Sequence, residues 1–275
     1  MEIFKLLLPS AAVVAFVLGV VALRRWWQVR RNRRADQEQA VALAPLAAEL
    51  GGAVVGADRA AAWSADLRAP LAAHTTGVVD KLLQRSKPRF DLAVDLRRGP
   101  WHVRVSQASM RRQGSNGVLR LIEHRFEVAT VRVAPMRITR RQHSDFLGRP
   151  VGPDHLSGWL SAQPLTVARE NGEWLPLRLP PDTDQEFAVF ANDLTNAAMA
   201  FTPESLRWLL AQADALPPLV GRFLSLTFEN GIVFTTVRGP VDEATLLPVV
   251  DTIAGLLDRM PDMRPRHPAE APMPQ

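Results

Sequence analysis

Apolar and polar positions change their period along the chain, and each change predicts an element. Residues 6–23, "LLLPSAAVVAFVLGVVAL", form an uncharged run of eighteen residues between Lys5 and Arg24. As a helix rising ~1.5 Å per residue it spans about 27 Å, close to the ~30 Å hydrocarbon core of a bilayer. Pro9 falls in the first turn, where a helix tolerates it. The pattern therefore predicts a transmembrane anchor over 1–23. Beyond it, "ADQEQAVALAPLAAELGG" has apolar positions at Val41, Leu43, Leu46 and Leu50, which predict a helix stopped by Gly51-Gly52, with Pro45 as a kink or boundary. Residues 57–86 read as helical in pieces. The period then falls to two. Phe90, Leu92, Val94 and Leu96 alternate with polar or small residues, as do Trp101, Val103 and Val105 after the turn at Arg98-Gly99-Pro100. That pattern predicts a hairpin with one dry and one wet face.

A third strand, "VLRLIEHRFEVATVRV", changes parity near Ala129–Val131, which predicts a bulge, and "MRITR" reads as a fourth strand. Residues 141–160 lack a period and predict a loop. A small hairpin follows, "PLTVA", "RENGE", "WLPLRLP", then a short strand at Phe187–Ala191. "NDLTNAAMAF" predicts a helix. Thr202-Pro203-Glu204 predicts a helix start, with Thr as N-cap and Pro at the first position. Asn230-Gly231 predicts a tight hairpin turn. A last helix over 242–260 buries Leu246, Val250, Ile253 and Leu257. The expected fold class is α+β: an N-terminal transmembrane helix, then a globular domain of antiparallel hairpins and packed helices. The expected divisions are the anchor (1–23), a basic juxtamembrane segment (24–35), a cytoplasmic α+β domain (36–260) with a candidate boundary in the loop 141–160, and a disordered proline-rich tail (261–275).

Charge fixes the expected direction of the anchor. Arg24, Arg25, Arg30, Arg31, Arg33 and Arg34 follow the apolar run, with Trp26 and Trp27 at headgroup depth. These eight residues form the candidate membrane interface. Arginines beside a span resist translocation. The expected placement is the inner (plasma) membrane, single-pass, with the N-terminus outside and the body cytoplasmic. A cleaved signal peptide would carry its positive charge before the apolar run, the reverse of the order here.

The 275-residue chain has a net charge of +5, unevenly distributed. Residues 90–150 carry a net of +7 and residues 151–275 a net of −8. Beyond the basic flank the protein is dipolar, so nucleic acid is not an expected partner. The arginines of 90–150 have two readings, contact with the anionic inner leaflet or an acidic partner, and pairing with the acidic second half of the chain. The near cancellation favours the second. With no cysteine there is no disulfide framework, thiolate catalysis or Cys-based metal site.

The segments "FDLAVDLRRGPWHVRVSQAS" and "EFAVFANDLTNAAMAFTPESLRWLLAQ…LSLTFENGIVFTTVRGP" resemble an uncharacterised bacterial family. Its members are membrane proteins carrying a domain of unknown function on the cytoplasmic side of transmembrane helices. The resemblance covers about residues 45–260 and implies no catalytic residues.

The six histidines, His74, His102, His124, His143, His155 and His267, have no metal-site spacing. Neither a nucleophile-elbow nor a phosphate-loop motif occurs. No catalytic residue, metal ligand or cofactor is assigned. The expected function is a non-catalytic cytoplasmic domain that meets another protein or the inner leaflet. The alternative is an enzyme with a site near His102, His124 and the arginine-rich sheet.

Overall fold

The computed structural model describes residues 2–72, 82–114, 117–141, 174–239, 242–261 and 263. The predicted loop 141–160 past its first residue, the first strand and turn of the 164–180 hairpin, nearly all of the 261–275 tail, and His74, His143, His155 and His267 lie outside them. The chain divides into two units, Met1–Pro45 and Leu46–Gln275.

One uninterrupted helix, α1, runs Glu2–Glu49. The expectation of an N-terminal transmembrane helix is corrected here. The uncharged run is less than half of an element that also holds Lys5, six arginines, Asp36 and Glu38. Among the described residues, no helix is long and apolar enough to cross a membrane. Pro45 does not end α1, which runs on to Glu49. The helix stops at the glycine pair instead. Gly51 adopts φ +66°, its N–H donates to Ala48 O, and Gly52 N–H donates to Ala47 O. This closes the last turn, and only a residue free of a Cβ takes that φ cheaply.

The second unit is built on one nine-stranded sheet, with every described pairing antiparallel. Its strands are β1 (Ala53–Gly56), β2 (Arg89–Arg98), β3 (Trp101–Gly114), β4 (Gly117–Ala129), β5 (Met136–Arg140), β6 (Leu175–Leu177), β7 (Phe187–Ala191), β8 (Ser225–Glu229) and β9 (Ile232–Arg238). Their order is β1-β2-β3-β4-β9-β8-β5-β7-β6. The α+β expectation of antiparallel hairpins and packed helices is corrected to one continuous, nine-stranded antiparallel sheet with a few helices. The hairpins predicted around Arg98-Gly99-Pro100 and Asn230-Gly231 do form, and backbone pairing continues beyond each into its neighbours.

One face of the sheet carries Trp101, Val103, Val105, Phe126, Val128, Phe228, Leu226 and Ile138, all buried. Helices cover it. These are α2 (Pro181–Asp184), α3 (Leu194–Ala200), α4 (Pro203–Ala215), α5 (Pro218–Arg222) and α6 (Glu243–Arg259). Their starts obey the sequence. Asp193, Thr202 and Asp242 are N-caps whose side chains accept backbone N–H bonds. α6 buries Leu246, Val249, Val250, Ile253 and Leu257. It is fastened by polar contacts: Arg98 pairs through Nε and Nη2 with Asp251, and Trp101 Nε1 donates to Asp258 Oδ1 at 3.1 Å. α4 lays Trp208 on α6, with the Arg259 guanidinium 4.2 Å from the ring centroid.

Two local readings are corrected. The parity change at 129–131 is the exit of β4, not a bulge: pairing ends at Ala129, and Thr130 N–H donates to Gly231 O. The described part of 57–86 is mostly turns and irregular backbone, with helix only at 82–83 and a single 3-10 residue at 72. Its alanines favour helix, but its backbone groups are claimed by side chains of the sheet.

Candidate site: an arginine-lined pocket on the second face of the sheet

Alternation puts Asp95, Arg104, Glu123, Arg125 and Glu127 on the face away from the helices. The sequence predicts a wet face here. The structure shows a covered one, with Arg104 at 5%, Arg125 at 1% and Glu127 at 0% exposure. Residues 58–72 lie across it as a strap, and the buried charges are its hydrogen-bond partners. Glu127 accepts from Trp63 N at 2.7 Å, Ser64 N at 2.8 Å and Ser64 Oγ at 2.6 Å. Glu123 accepts from Leu71 N at 2.7 Å. Arg125 donates to Ser64 O, Ser64 Oγ and Arg68 O. Arg104 donates to Ala61 O while Nε and Nη2 clasp Asp95. An irregular segment buried on a sheet has backbone groups without a ladder to join, and charged side chains at alternate positions of β3 and β4 replace that ladder. Burial pushes the Glu127 carboxyl up, and the Ser64 and Trp63 donors and Arg125 oppose this. Both oxygens accept, which is the arrangement of the ionised form.

Beyond the end of the strap this face opens into a cavity of about 480 Å³. The strap supplies Arg68 and Leu71, β4 supplies Arg120 to Glu123, β5 supplies Arg137, and β8 and β9 supply Ser225, Thr227, Thr236 and Arg238. Its volume lies in the range of small-molecule sites, ~300–1,000 Å³. Most arginines of the sheet have acidic partners: Arg104 with Asp95, Arg120 with Asp91, Arg125 with Glu123, Arg98 with Asp251, Arg140 with Asp214 and Arg141 with Asp184. The first three stay within the basic half, and the last three reach the acidic half. Arg68, Arg137 and Arg238 differ, having no carboxylate partner among the described residues. Arg137 donates Nε to Ser225 Oγ at 2.8 Å. Burial, with Arg68 nearby, pushes its guanidinium down to about 10, so it remains charged at neutral pH. The buried Thr236 Oγ1 has no hydrogen-bond partner among the described residues. No family model, curated protein or solved structure matches the chain. The case for a site therefore rests on this geometry.

The residues singled out from sequence lie elsewhere. Arg24, Arg25, Trp26, Trp27, Arg30, Arg31, Arg33 and Arg34 all lie on α1. Trp26 and Trp27 are 52% and 66% exposed, and the Arg30 guanidinium sits 5.1 Å from the Trp26 ring centroid. His102 and His124 are not brought together. His102 stands opposite Arg97 near the start of β3, whereas His124 stands opposite Gln107 and faces the helix layer. His124 Nδ1 is 2.9 Å from Gly239 O, and the ring meets Phe126 edge-on. Burial pushes its pKa down, leaving a neutral ring that donates from Nδ1. Sequence reasoning missed Arg68 and did not separate Arg137 from its neighbours. Both read locally as ordinary surface cations.

Proposed function

We propose that residues 46–275 form a non-catalytic binding domain whose pocket takes an anionic group from its partner. One observation carries this reading: the Arg137 guanidinium is held by Ser225 beside Arg68, with no carboxylate partner among the described residues. A half-buried cation next to a second cation is unfavourable unless something negative joins them. Glu123 also lines the cavity, but it is engaged by Leu71 N and Arg125. An acidic protein side chain and a small anion both meet this requirement.

The test is thermal unfolding of the full chain at constant ionic strength, with glutamate, benzoate, inorganic phosphate or phenyl phosphate added. A ligand at a hundred times its Kd adds about 2.7 kcal/mol of stability. At about 2–4 °C per kcal/mol for a domain of this size, Tm rises roughly 5–10 °C. Arg137→Met is expected to abolish the rise, and Arg98→Met, at the α6 contact, to leave it unchanged. No rise with any of these anions, or an equal rise in Arg137→Met, would show that the pocket does not bind anions.

A further inference from the structure

We infer that the anion read by this pocket is a phosphate monoester carried on an apolar body. This rests on the anion-binding reading above and narrows it by charge, oxygen count and shape. Arg68 and Arg137 line the cavity without acidic partners among the described residues, and Arg238 adds a third guanidinium from the exposed end of β9. A carboxylate brings one negative charge and leaves two of the three guanidinium charges uncompensated. A phosphate monoester brings about −1.5 to −2 at neutral pH, together with three terminal acceptor oxygens.

The donors match such a group. Ser225 claims Arg137 Nε, which fixes the plane of the guanidinium. Nη1 and Nη2 have no hydrogen-bond partner among the described residues. Paired N–H groups in a fixed plane suit two oxygens of one phosphate. The unpartnered hydroxyl of Thr236 is a further donor on the same wall. The rest of the lining is mixed: Glu123, Thr227 and Thr235 are polar, while Leu71 and Phe234, both buried, and Phe223, 47% exposed, supply apolar surface. A cavity of about 480 Å³ is far larger than one phosphate group. The rest of the ligand has room beside Phe223 and Leu71, where an apolar body finds apolar contact. A soluble aromatic or alkyl phosphate and the headgroup of a phosphatidate lipid share this chemistry.

Calorimetric titration of the full chain at constant ionic strength separates the cases. The probes are phenyl phosphate, inorganic phosphate, benzoate and monomeric dihexanoyl phosphatidate. Phenyl phosphate is expected to bind at least about tenfold tighter than benzoate, which lacks the dianion, and than inorganic phosphate, which lacks the apolar body. Tighter binding of dihexanoyl phosphatidate than of phenyl phosphate assigns the lipid source, and the reverse order assigns a soluble ligand. Arg137→Lys keeps the charge, loses the planar fork and is expected to weaken phenyl phosphate about tenfold. Thr236→Val, a near-isosteric change, gives a loss of several-fold and covers the case in which Arg137 variants fold poorly. Benzoate binding within twofold of phenyl phosphate would overturn the monoester assignment and leave the general anion-binding reading standing. Silence from all four probes would overturn both.

Discussion

Glu127→Gln tests the role given to the buried charges. The change keeps shape and volume, but an amide offers only one acceptor oxygen. In the native protein Oε1 accepts two donors from Ser64 and Oε2 accepts Trp63 N–H. Whichever way the amide turns, its NH₂ faces a backbone N–H. One hydrogen bond to a charged acceptor is lost, about 1.5–3 kcal/mol, and one buried N–H is left unsatisfied, about 1–3 kcal/mol. Arg125 keeps Glu123 at 3.6 Å but loses the countercharge of Glu127. Breaking a buried pair this way costs about 3–5 kcal/mol in total, and some relaxation of the strap places the expectation at about 3 kcal/mol. Urea denaturation of the full chain should show that loss, and Tm should fall by roughly 6–12 °C. Native-state hydrogen exchange gives a local readout, with the Trp63 and Ser64 amides exchanging about a hundredfold faster as the strap lifts. A loss below about 1 kcal/mol with unchanged protection of those amides would refute the claim that β4 holds the strap through its carboxylates.

Two further expectations concern stability. Burial pushes the Glu229 carboxyl up to about 7, and its Oε2 has no partner among the described residues. Its contribution is present below the unfolded value near ~4.3 and is lost as pH rises through about 7, so Glu229→Gln should add about 2 kcal/mol at pH 8 and nothing at pH 4. Equal urea midpoints for the two proteins at pH 8 would mean that the carboxylate reaches water. A Cβ on Gly52 would lie 1.9 Å from Asp95 O and 2.6 Å from Leu96 Cα, so Gly52→Ala must part β2 from the end of α1 at about 3 kcal/mol. Gly51→Ala meets nothing within 4 Å and bears only the left-handed φ penalty of about 1 kcal/mol. Chemical denaturation of both variants in the reverse order would contradict the close approach at Gly52.

What the sequence made legible was local. Alternation drew the β2–β3 hairpin, Asn230-Gly231 drew the β8–β9 turn, and Thr202-Pro203-Glu204 placed the start of α4, because each signal lies within a few residues of what it specifies. The strap was misread because its alanines speak for helix, while its real partners, Glu123 and Glu127, lie more than fifty residues away. The same distance hid the pocket. Arg68, Arg137 and Thr236 belong to three separate segments, and no spacing rule joins them. A signal was nonetheless present in β4. Glu123, Arg125 and Glu127 alternate with His124, Phe126 and Val128, which reads as solvated against dry. Burial of the charged side follows only once something is known to lie over it.

The strand order also bears on the sequence of assembly during synthesis. β1 to β4 can pair with one another as they emerge, and β5, β7 and β6 can do the same. Neither group touches the other until the β8–β9 hairpin slots between β4 and β5. A chain stopped before Ser225 would hold two partial sheets, each showing an unsatisfied border, the kind of surface that recruits other chains. Because the hairpin pairs with β4 and β5, which lie roughly ninety to a hundred residues before it in the chain, its late arrival should set the pace of folding. A lesion at its tip would then lower yield by trapping nascent chains even where the finished molecule tolerates it.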